Sequence, residues 1–350
     1  MPANLSPEYK KAEQAFRSAR DPHERLECLK EMLRTIPKHK GTDHLQADIK
    51  SRIKQLTDDL GAPRKGPARS ASAHAVHHEG AAQVCLLGPP NSGKSSLHAL
   101  LTGSKAESGP SPYTTKDPLP GMLPFEDIHF QLVDLPPITP ERMEPWMAGL
   151  LQSTDAAWLV VDIADAECTE QVLATCAALA QRKITLCDRW PGLGEQRDAA
   201  PQPPAEPASP EDIDDPFQVR IPALLVANKC DLDPDPDEVG VLEELADVHF
   251  PAVATSVTSG SGLDRLAPFL FQALGIVRVY TKLPGQPPDK RRPFTVRRGG
   301  TVLDVARLVH QDVARTFKFA RIWGSSAFDG QHVGAEHHVN DGDVVELHAR

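Results

Sequence analysis

The chain has little of what metal, redox and secreted proteins usually depend on. Its six cysteines are scattered and include no C-x-x-C pair, which argues against a zinc knuckle or a thiol–disulfide centre. Its fourteen histidines show no H-E-x-x-H or zinc-finger spacing, so we interpret them as surface residues. We therefore expect a protein of the reducing cytoplasm without a structural metal site.

Long apolar runs, aromatic residues and positive charge are also scarce. No apolar stretch reaches about 18 residues and the N-terminus lacks the apolar core of a signal peptide, so we expect no membrane contact. Aromatic residues make up 5% of the chain and its net charge is −10, which argues against general nucleic-acid binding. Basic residues 290–292 with Arg297 and Arg298 could contact RNA phosphates, although a solvated face is the simpler interpretation.

Residues 88–95, Gly-Pro-Pro-Asn-Ser-Gly-Lys-Ser, match the phosphate-binding loop pattern G-x-x-x-x-G-K-[ST]. The loop lies between a predicted buried strand, 82–87, and a predicted helix, 95–101, so that backbone N–H groups and the helix N-terminus face phosphate oxygens. We predict that Lys94 contacts the β- and γ-phosphates and that Ser95 is a Mg²⁺ ligand. The other predicted nucleotide contacts in this region are Gly88, Pro89, Pro90, Asn91, Ser92, Gly93 and Ser96.

A second motif identifies the base. Asn228-Lys229-Cys230-Asp231 follows a predicted strand, 221–227, and N-K-x-D at such a position is the guanine-reading pattern of GTPases. The Asp231 carboxylate can accept both N1–H and N2–H of guanine, and adenine offers no such donor pair. The motif therefore predicts GTP and GDP as ligands and disfavours an ATPase.

Two further positions complete the predicted Mg²⁺ site. Asp134 ends a predicted strand, 128–133, where a carboxylate holds the metal through water. Thr115 would complete the Mg²⁺ shell once a γ-phosphate is present, ordering its loop as a switch. Thr114 remains the alternative, because the sequence does not show which of the two adjacent threonines contacts the metal.

Five segments, in this order, resemble the Obg and DRG (developmentally regulated GTP-binding) GTPases: GPPNSGKS, YTTKDPLPG, DLPP, NKCD and TSVTSGSGL. The segment GIVRVYTKLPGQP, 275–287, is similar to the junction before the TGS domain of DRG proteins. The resemblance implies a P-loop NTPase G domain, with a mostly parallel sheet covered by helices on both faces. It also implies a C-terminal β-grasp domain of a type often linked to ribosomes or RNA.

The domain organisation follows from periodicity and composition together with this resemblance. Residues 1–60 are predicted to be a helical segment, in which two apolar stripes at 23–60 indicate a helical hairpin that packs on itself or against a partner protein. A linker at 61–80 leads to the G domain at 81–275, in which strand and helix patterns alternate and one strand is predicted at 156–162. A proline-rich insert at about 191–216 is predicted to be disordered. The β-grasp domain occupies 276–350, with strands predicted at 279–283, 293–296, 320–323 and 343–347. Thr301 and Asp304 resemble a capping box, and a helical face from Val302 to Val313 follows them.

Pro137 departs from the family pattern D-x-x-G, which reads Asp134-Leu135-Pro136-Pro137 here. Proline has no N–H, and the glycine it replaces donates its N–H to the γ-phosphate. A hydrogen bond to a charged group contributes about 1.5–3 kcal/mol, so the preference for GTP over GDP should weaken. Ile138 excludes a water-positioning glutamine at the next position, but not hydrolysis.

Two other positions bear on hydrolysis and on base binding. Several GTPases of this class with asparagine at the position of Asn91 bind K⁺ beside the β–γ bridge, and an ordinary loop residue explains Asn91 equally well. Ser256 and the Val257 N–H are predicted contacts of the base. We therefore predict a slow GTPase that acts with ribosomes, in which Lys94, Thr115 and Asn91 serve catalysis. The alternative is a GTP- or GDP-binding scaffold with little turnover.

Overall fold

The computed structural model describes residues 6–19, 22–37, 42–61, 74, 76–104, 117–140, 143–193, 218–232, 238–325 and 328–349. The chain divides at about residue 73 into an N-terminal helical unit and a unit that holds residues 74–193 and 219–349. Among the described residues, no helix is both long enough and apolar enough to span a bilayer. The predicted proline-rich insert, 191–216, lies almost wholly outside the described residues.

The N-terminal unit contains three helices, α1 Pro7–Ser18, α2 Pro22–Thr35 and α3 Asp43–Gly61. Ser6 caps α1 by accepting the Tyr9 N–H at 3.1 Å, and its hydroxyl donates to the Thr35 carbonyl at 3.1 Å. The two helices predicted at 23–60 correspond to α2 and α3, whereas α1 was not predicted. The apolar positions of α1, Tyr9, Ala12 and Phe16, recur at i, i+3 and i+7 and pack in one core with residues of α2.

The G domain contains an alternating series of strands and helices. The elements are β1 Gln83–Leu87, α4 Lys94–Thr102, β2 Leu119–Phe125, β3 Ile128–Asp134, α5 Pro145–Leu151, β4 Ala156–Asp162, α6 Cys168–Gln181, β5 Ile184–Cys187, β6 Val219–Asn228, α7 Glu238–Leu245, β7 Ala252–Ala254 and α8 Leu266–Ala273. The strand order is β2-β3-β1-β4-β6-β5, with β7 also paired to β6. All these pairs are parallel except β2–β3, which confirms the predicted P-loop NTPase fold class.

Both faces of this sheet are buried, as a parallel sheet requires. Cys85 and Leu87 of β1 face a core shared with α5, α6 and α7. Val84 and Leu86 of the same strand face a second core shared with α4 and α8. Because the helices cover both faces, ligands reach the sheet only at its edge, where the carboxyl ends of the parallel strands meet.

Strand β2 was not predicted, because Pro120, Gly121 and Pro124 interrupt its apolar pattern. Prolines are tolerated there because β2 is an edge strand whose partner in the described sheet is β3. The short elements α5 and β5 also escaped prediction, since they are too short to show a clear period.

The C-terminal module contains a five-stranded sheet and two short helices. The elements are β8 Ile276–Thr281, β9 Asp289–Arg297, α9 Val302–Val309, α10 Gln311–Arg315, β10 Phe317–Trp323, β11 Gln331–Val333 and β12 Asp343–Ala349. The order is β11-β10-β12-β8-β9, in which only β12–β8 is parallel. The predicted capping box of Thr301 and Asp304 is present at α9, and the predicted β-grasp class is confirmed.

The two modules of the second unit share a junction at β8. Ile276 packs in the G-domain core that contains Leu270, whereas Val277 packs in the core of the C-terminal module. Arg297 of β9 pairs with Asp155 of the G domain at 2.8 Å. The C-terminal module is therefore packed against the G domain by both apolar and charged contacts.

Candidate nucleotide-binding site

The phosphate-binding loop leaves β1 through a backbone that needs glycine. Gly88 has φ 138° and Gly93 has φ 90°, both in the region that favours glycine. A Cβ at Gly88 would overlap the Val160 carbonyl, and one at Gly93 would overlap the side chain of Asn228. Asn91 also lies in the left-handed region, at φ 62°, which asparagine tolerates better than most residues. Its backbone geometry thus gives Asn91 a structural reason to be asparagine.

Lys94 is buried at the start of α4 and only 5% exposed. Its Nζ donates to the Gly88 carbonyl at 3.1 Å, to the Pro89 carbonyl at 2.5 Å and to Ser92 Oγ at 3.3 Å. Burial lowers the pKa of Lys94 to about 8, although the nearby charge of Asp134 opposes that shift. The loop therefore places the Lys94 ammonium group where a bound phosphate would stabilise its charged form and raise its pKa.

Ser95 and Asp134 meet beside this lysine. The Ser95 hydroxyl donates to Asp134 Oδ2 at 2.6 Å, and Asp134 is fully buried at the end of β3. A hydroxyl and a carboxylate at the mouth of a phosphate loop are the oxygen donors that Mg²⁺ prefers, so the residues present fit that ion. Thr114 and Thr115 lie outside the described residues, and their predicted role stays a prediction.

The guanine-reading segment is tied to the phosphate loop. Asn228 Nδ2 donates to the Ser92 carbonyl at 3.0 Å, and Thr255 Oγ1 donates to Asn228 Oδ1 at 3.4 Å. The Cys230 N–H donates to the Thr255 carbonyl at 3.1 Å. One buried asparagine thus joins three loops: the phosphate loop, the end of β6 and the loop after β7.

The remaining predicted base contacts lie beside that asparagine. Asp231 is exposed, so its carboxylate is accessible to a base. Ser256 is buried and its Oγ accepts the Ser259 N–H at 3.0 Å, which shapes the loop that carries the half-buried Val257. Among the described residues predicted to contact the base, Asp231 and Val257 are therefore accessible to solvent, whereas Asn228 and Ser256 are buried and hold the surrounding loops in place.

Sequence reasoning missed Asp162, which pairs with Lys229. Asp162 Oδ2 lies 2.5 Å from Lys229 Nζ, and Lys229 has φ 65°. The signal was present in the sequence, because Asp162 ends the predicted strand 156–162, at the sheet edge where all the motifs converge. Its pairing depends on β4 and β6 being neighbours, with Asp162 opposite Asn228.

The segment after β3 is held at both of its ends. Asp134 accepts from Ser95, and the Ile138 N–H donates to the Gly88 carbonyl at 3.2 Å. Ile138 is 1% exposed and belongs to the G-domain core, while Pro137 between these contacts is only half-buried. The backbone N–H nearest the phosphate loop after Pro137 is therefore already donated to that loop.

Comparisons with known proteins agree with both modules. A family described as 50S ribosome-binding GTPase matches residues 83–188, and the TGS domain family matches residues 277–349. Developmentally-regulated G-protein 2 of Arabidopsis thaliana is 29% identical over 91% of this chain and 88% of its own length. Human developmentally-regulated GTP-binding protein 2 is 25% identical over 92% of this chain and 97% of its own length. A GTP-binding protein from Pyrococcus horikoshii OT3 shares 14% identity with a TM-score of 0.47, covering 77% of this chain and 100% of that one.

Proposed function

We propose that this chain, a homologue of the developmentally regulated GTP-binding proteins with a GTPase module and a TGS domain, binds GTP and GDP with Mg²⁺ in the cytoplasm and hydrolyses GTP slowly. The observation that carries this proposal is the bond from Asn228 to the Ser92 carbonyl, because it fixes the guanine-reading segment directly against the phosphate loop. Lys94, Ser95 and Asp134 then face the phosphate side of the same edge.

Each of the described residues at the phosphate loop would have a separate role in binding phosphate and Mg²⁺. Lys94 would move from the carbonyls of Gly88 and Pro89 to phosphate oxygens, which stabilise its charge better than neutral carbonyls do. Ser95 would hold Mg²⁺ directly and Asp134 would hold it through water. Bound Mg²⁺ neutralises charge that develops on phosphate oxygens. Ser96 and the backbone of the loop would add N–H donors at the helix N-terminus.

The second candidate function, a scaffold with little turnover, is favoured by one specific contact. The Ile138 N–H is donated to Gly88, and Pro137 has no N–H to offer a γ-phosphate. A segment held in this way would respond weakly to the difference between GTP and GDP. Multiple-turnover release of phosphate from GTP separates the two functions: the GTPase continues past one phosphate per protein, and the scaffold stops at or below one.

The same assay tests the proposed K⁺ site at Asn91. If K⁺ supplies charge beside the β–γ bridge, release should be faster in KCl than in NaCl at equal ionic strength. The informative variant is Asn91→Gly, since glycine accepts φ 62° whereas alanine would add backbone strain. Retention of the salt difference in Asn91→Gly would contradict the K⁺ assignment. Lys94→Ala, which removes the phosphate-binding cation, should abolish release in both salts.

For the TGS domain we propose binding to ribosomal RNA through the outer face of its sheet. There Phe319 is stacked between His332 and His348, with ring centroids 4.6 and 4.4 Å away. The exposed Arg321 lies beside this stack, since its Nε donates to His332 Nε2 at 3.0 Å. Rings and guanidinium groups together suit unpaired bases and phosphates.

Sedimentation with purified ribosomal subunits tests this partner. Binding should weaken steeply with salt and should be lost in the double variant Phe319→Ser, Arg321→Ser. A control with Arg315→Ser, an exposed arginine of α10 outside that face, should bind normally. Binding that survives in the double variant would contradict the proposed face.

A further inference from the structure

The helices α6 and α7 enclose a cavity at the surface of the G domain. The cavity has a volume of about 280 Å³ and lies between the loop that follows β4 and these two helices. Its lining includes Ile163, Thr169, Val241 and Leu242. Ile163 and Leu242 are buried, at 6% and 2% exposed, whereas Val241 is 51% exposed. The cavity thus combines a buried apolar floor and an accessible apolar rim with the polar groups of Asp165 and Thr169.

Exposed apolar side chains extend this rim along both helices. Leu173 is 47% exposed and lies one turn beyond Thr169 on α6. Leu245 is 65% exposed and lies one turn beyond Val241 on α7. Of the eleven large apolar residues exposed in the described part of the chain, three lie on these two helices. Exposed apolar side chains on two neighbouring helices beside a cavity are typical of an interaction site.

The two helices that carry these apolar side chains have acidic but no basic residues. Residues 163–181 contain three acidic side chains and residues 238–248 contain four, and neither stretch contains lysine or arginine. Glu167, Glu170, Glu244 and Asp247 are all exposed. The cation of Lys229, near the start of the β4–α6 loop, is already paired with Asp162. The apolar patch is therefore rimmed by carboxylates that no basic residue of α6 or α7 neutralises.

We propose that α6 and α7 form a docking surface for a basic amphipathic helix of a partner protein. An apolar side chain of that helix would enter the α6–α7 cavity, and lysine or arginine on its flanks would face the carboxylates. Helix-in-groove recognition uses this combination of apolar anchors and complementary charge. The acidic rim disfavours anionic membranes and nucleic acids, which it would repel. The proposal does not depend on whether bound GTP is hydrolysed.

A second copy of this chain fits the surface poorly. The same acidic face would repel itself in a symmetric contact. Within the described parts of the chain, the most basic exposed segment, residues 290–292, belongs to strand β9 and not to an amphipathic helix. A partner from another chain therefore satisfies the charge and the shape better than self-association does.

The test uses the full chain and a fluorescent peptide of alternating leucine and lysine pairs that forms an amphipathic helix. Anisotropy should show saturable binding to the wild-type protein. The double variant Val241→Ser, Leu245→Ser should bind the peptide at least about tenfold more weakly, because it removes the apolar rim. Leu308→Ser is the matched control, since Leu308 is 52% exposed on α9 of the other module. Affinity for a fluorescent GDP analogue, unchanged in each variant, verifies folding.

A variant without the acidic side chains distinguishes docking by charge complementarity from nonspecific hydrophobic binding. Replacing Glu167, Glu170 and Glu244 by glutamine should weaken peptide binding several-fold and flatten its dependence on salt. Hydrogen exchange with bound peptide should slow in α6 and α7. The proposal is overturned if the wild type does not bind, or if the double variant binds equally well. Equal loss in Leu308→Ser, protection confined to other elements, or a dimer that the double variant abolishes would also overturn it.

Discussion

At the scale of single residues, Lys94 is the predicted phosphate ligand, and the fold shifts its pKa. Burial lowers its pKa to about 8, so the free protein loses this proton as the pH rises through that value. A bound phosphate favours the charged form, so nucleotide binding above about pH 8 must take up a proton. We predict that GDP affinity is nearly constant below about pH 7 and falls by up to tenfold per unit above about pH 8.

Calorimetry in two buffers of different ionisation enthalpy measures that proton directly. At about pH 8.5 the apparent binding enthalpies in the two buffers should differ by most of the difference between the buffers' ionisation enthalpies, because binding takes up most of one proton. At about pH 6.5 the two binding enthalpies should agree. The contribution of Lys94 to the free energy of unfolding depends on pH in the opposite direction to its contribution to GDP affinity. Because the folded state holds the lysine proton less tightly than the unfolded state does, stability rises with pH between the two pKa values. Equal enthalpies in both buffers at the higher pH would contradict the assignment.

Asp231 determines the base in this account. Asp231→Asn removes the carboxylate that would accept N1–H and N2–H of guanine, so GTP affinity should fall at least about tenfold. Xanthosine triphosphate should bind better than before, since an amide donor matches its additional carbonyl. Competition with a fluorescent GDP analogue gives both numbers. Asp312→Asn, an exposed carboxylate of the TGS domain, is the control and should change neither. Unchanged GTP binding in Asp231→Asn would remove the basis for guanine specificity.

The site residues differ in how far the sequence alone could reach them. Lys94, Ser95, Asn228 and Asp231 belong to motifs whose spacing is local, so residue order alone predicts them. The pair of Asp162 with Lys229 needed the register of β4 against β6, which no local pattern encodes. The bonds from Asn228 to Ser92 and from Ile138 to Gly88 join residues far apart in sequence, for the same reason.

At the scale of elements, success followed the strength of the periodic pattern. Strand β4 was predicted with its observed bounds, because its apolar run is buried on both faces. Helix α9 was predicted from its capping box and its buried valines, but the predicted face ran on to Val313, whereas the extended backbone of His310 separates α9 from α10. Strand β9 was predicted only at 293–296, since its first half consists of exposed charged residues. Edge strands need not alternate clearly, because one of their sides and part of their length face water.

The segment from Asp134 to Ile138 gives the element-scale prediction. Pro137→Gly would restore an N–H and allow the backbone to turn it toward a γ-phosphate. We expect this variant to bind a non-hydrolysable GTP analogue more tightly by a few-fold to about a hundredfold, as one charge-assisted hydrogen bond allows. GDP affinity should barely change, because GDP has no γ-phosphate.

Pro136→Gly is the matched control for that experiment, since it adds the same flexibility one position earlier. It should leave the analogue's affinity close to that of the wild type. Titration of the three proteins with both nucleotides makes the comparison. If Pro136→Gly and Pro137→Gly act alike, or if GDP gains as much as the analogue, then flexibility and not the missing donor determines nucleotide preference.

At the scale of the whole molecule, the TGS domain is joined to the G domain through Arg278. This residue contacts Glu126 and Asp127 at the β2–β3 turn and Asp341 of its own module at 2.7 Å. Its guanidinium also lies over the Phe271 ring, 4.9 Å from the centroid. Asp134 ends the same β3 strand that Asp127 precedes, so one hairpin connects the nucleotide site with the junction.

Arg278→Met should destabilise this unit by about 1–2 kcal/mol, because the side chain is 16% exposed and its removal leaves three carboxylates close together. Partial exposure of those carboxylates keeps the figure modest. Chemical denaturation of the full chain measures the effect. Arg291→Met removes a solvent-exposed pair with Asp289 and should leave the unfolding midpoint unchanged. Equal stability of the two variants would mean that the junction charges contribute nothing.

The central claim is that this chain carries a guanine nucleotide site at the carboxyl edge of its G-domain sheet. Calorimetric titration of the nucleotide-free full chain with GDP and with ADP, both with Mg²⁺, tests it most directly. The account predicts one GDP per chain and ADP binding at least about a hundredfold weaker, because the guanine-reading carboxylate rejects adenine. Comparable affinities for GDP and ADP, or the absence of GDP binding, would contradict it.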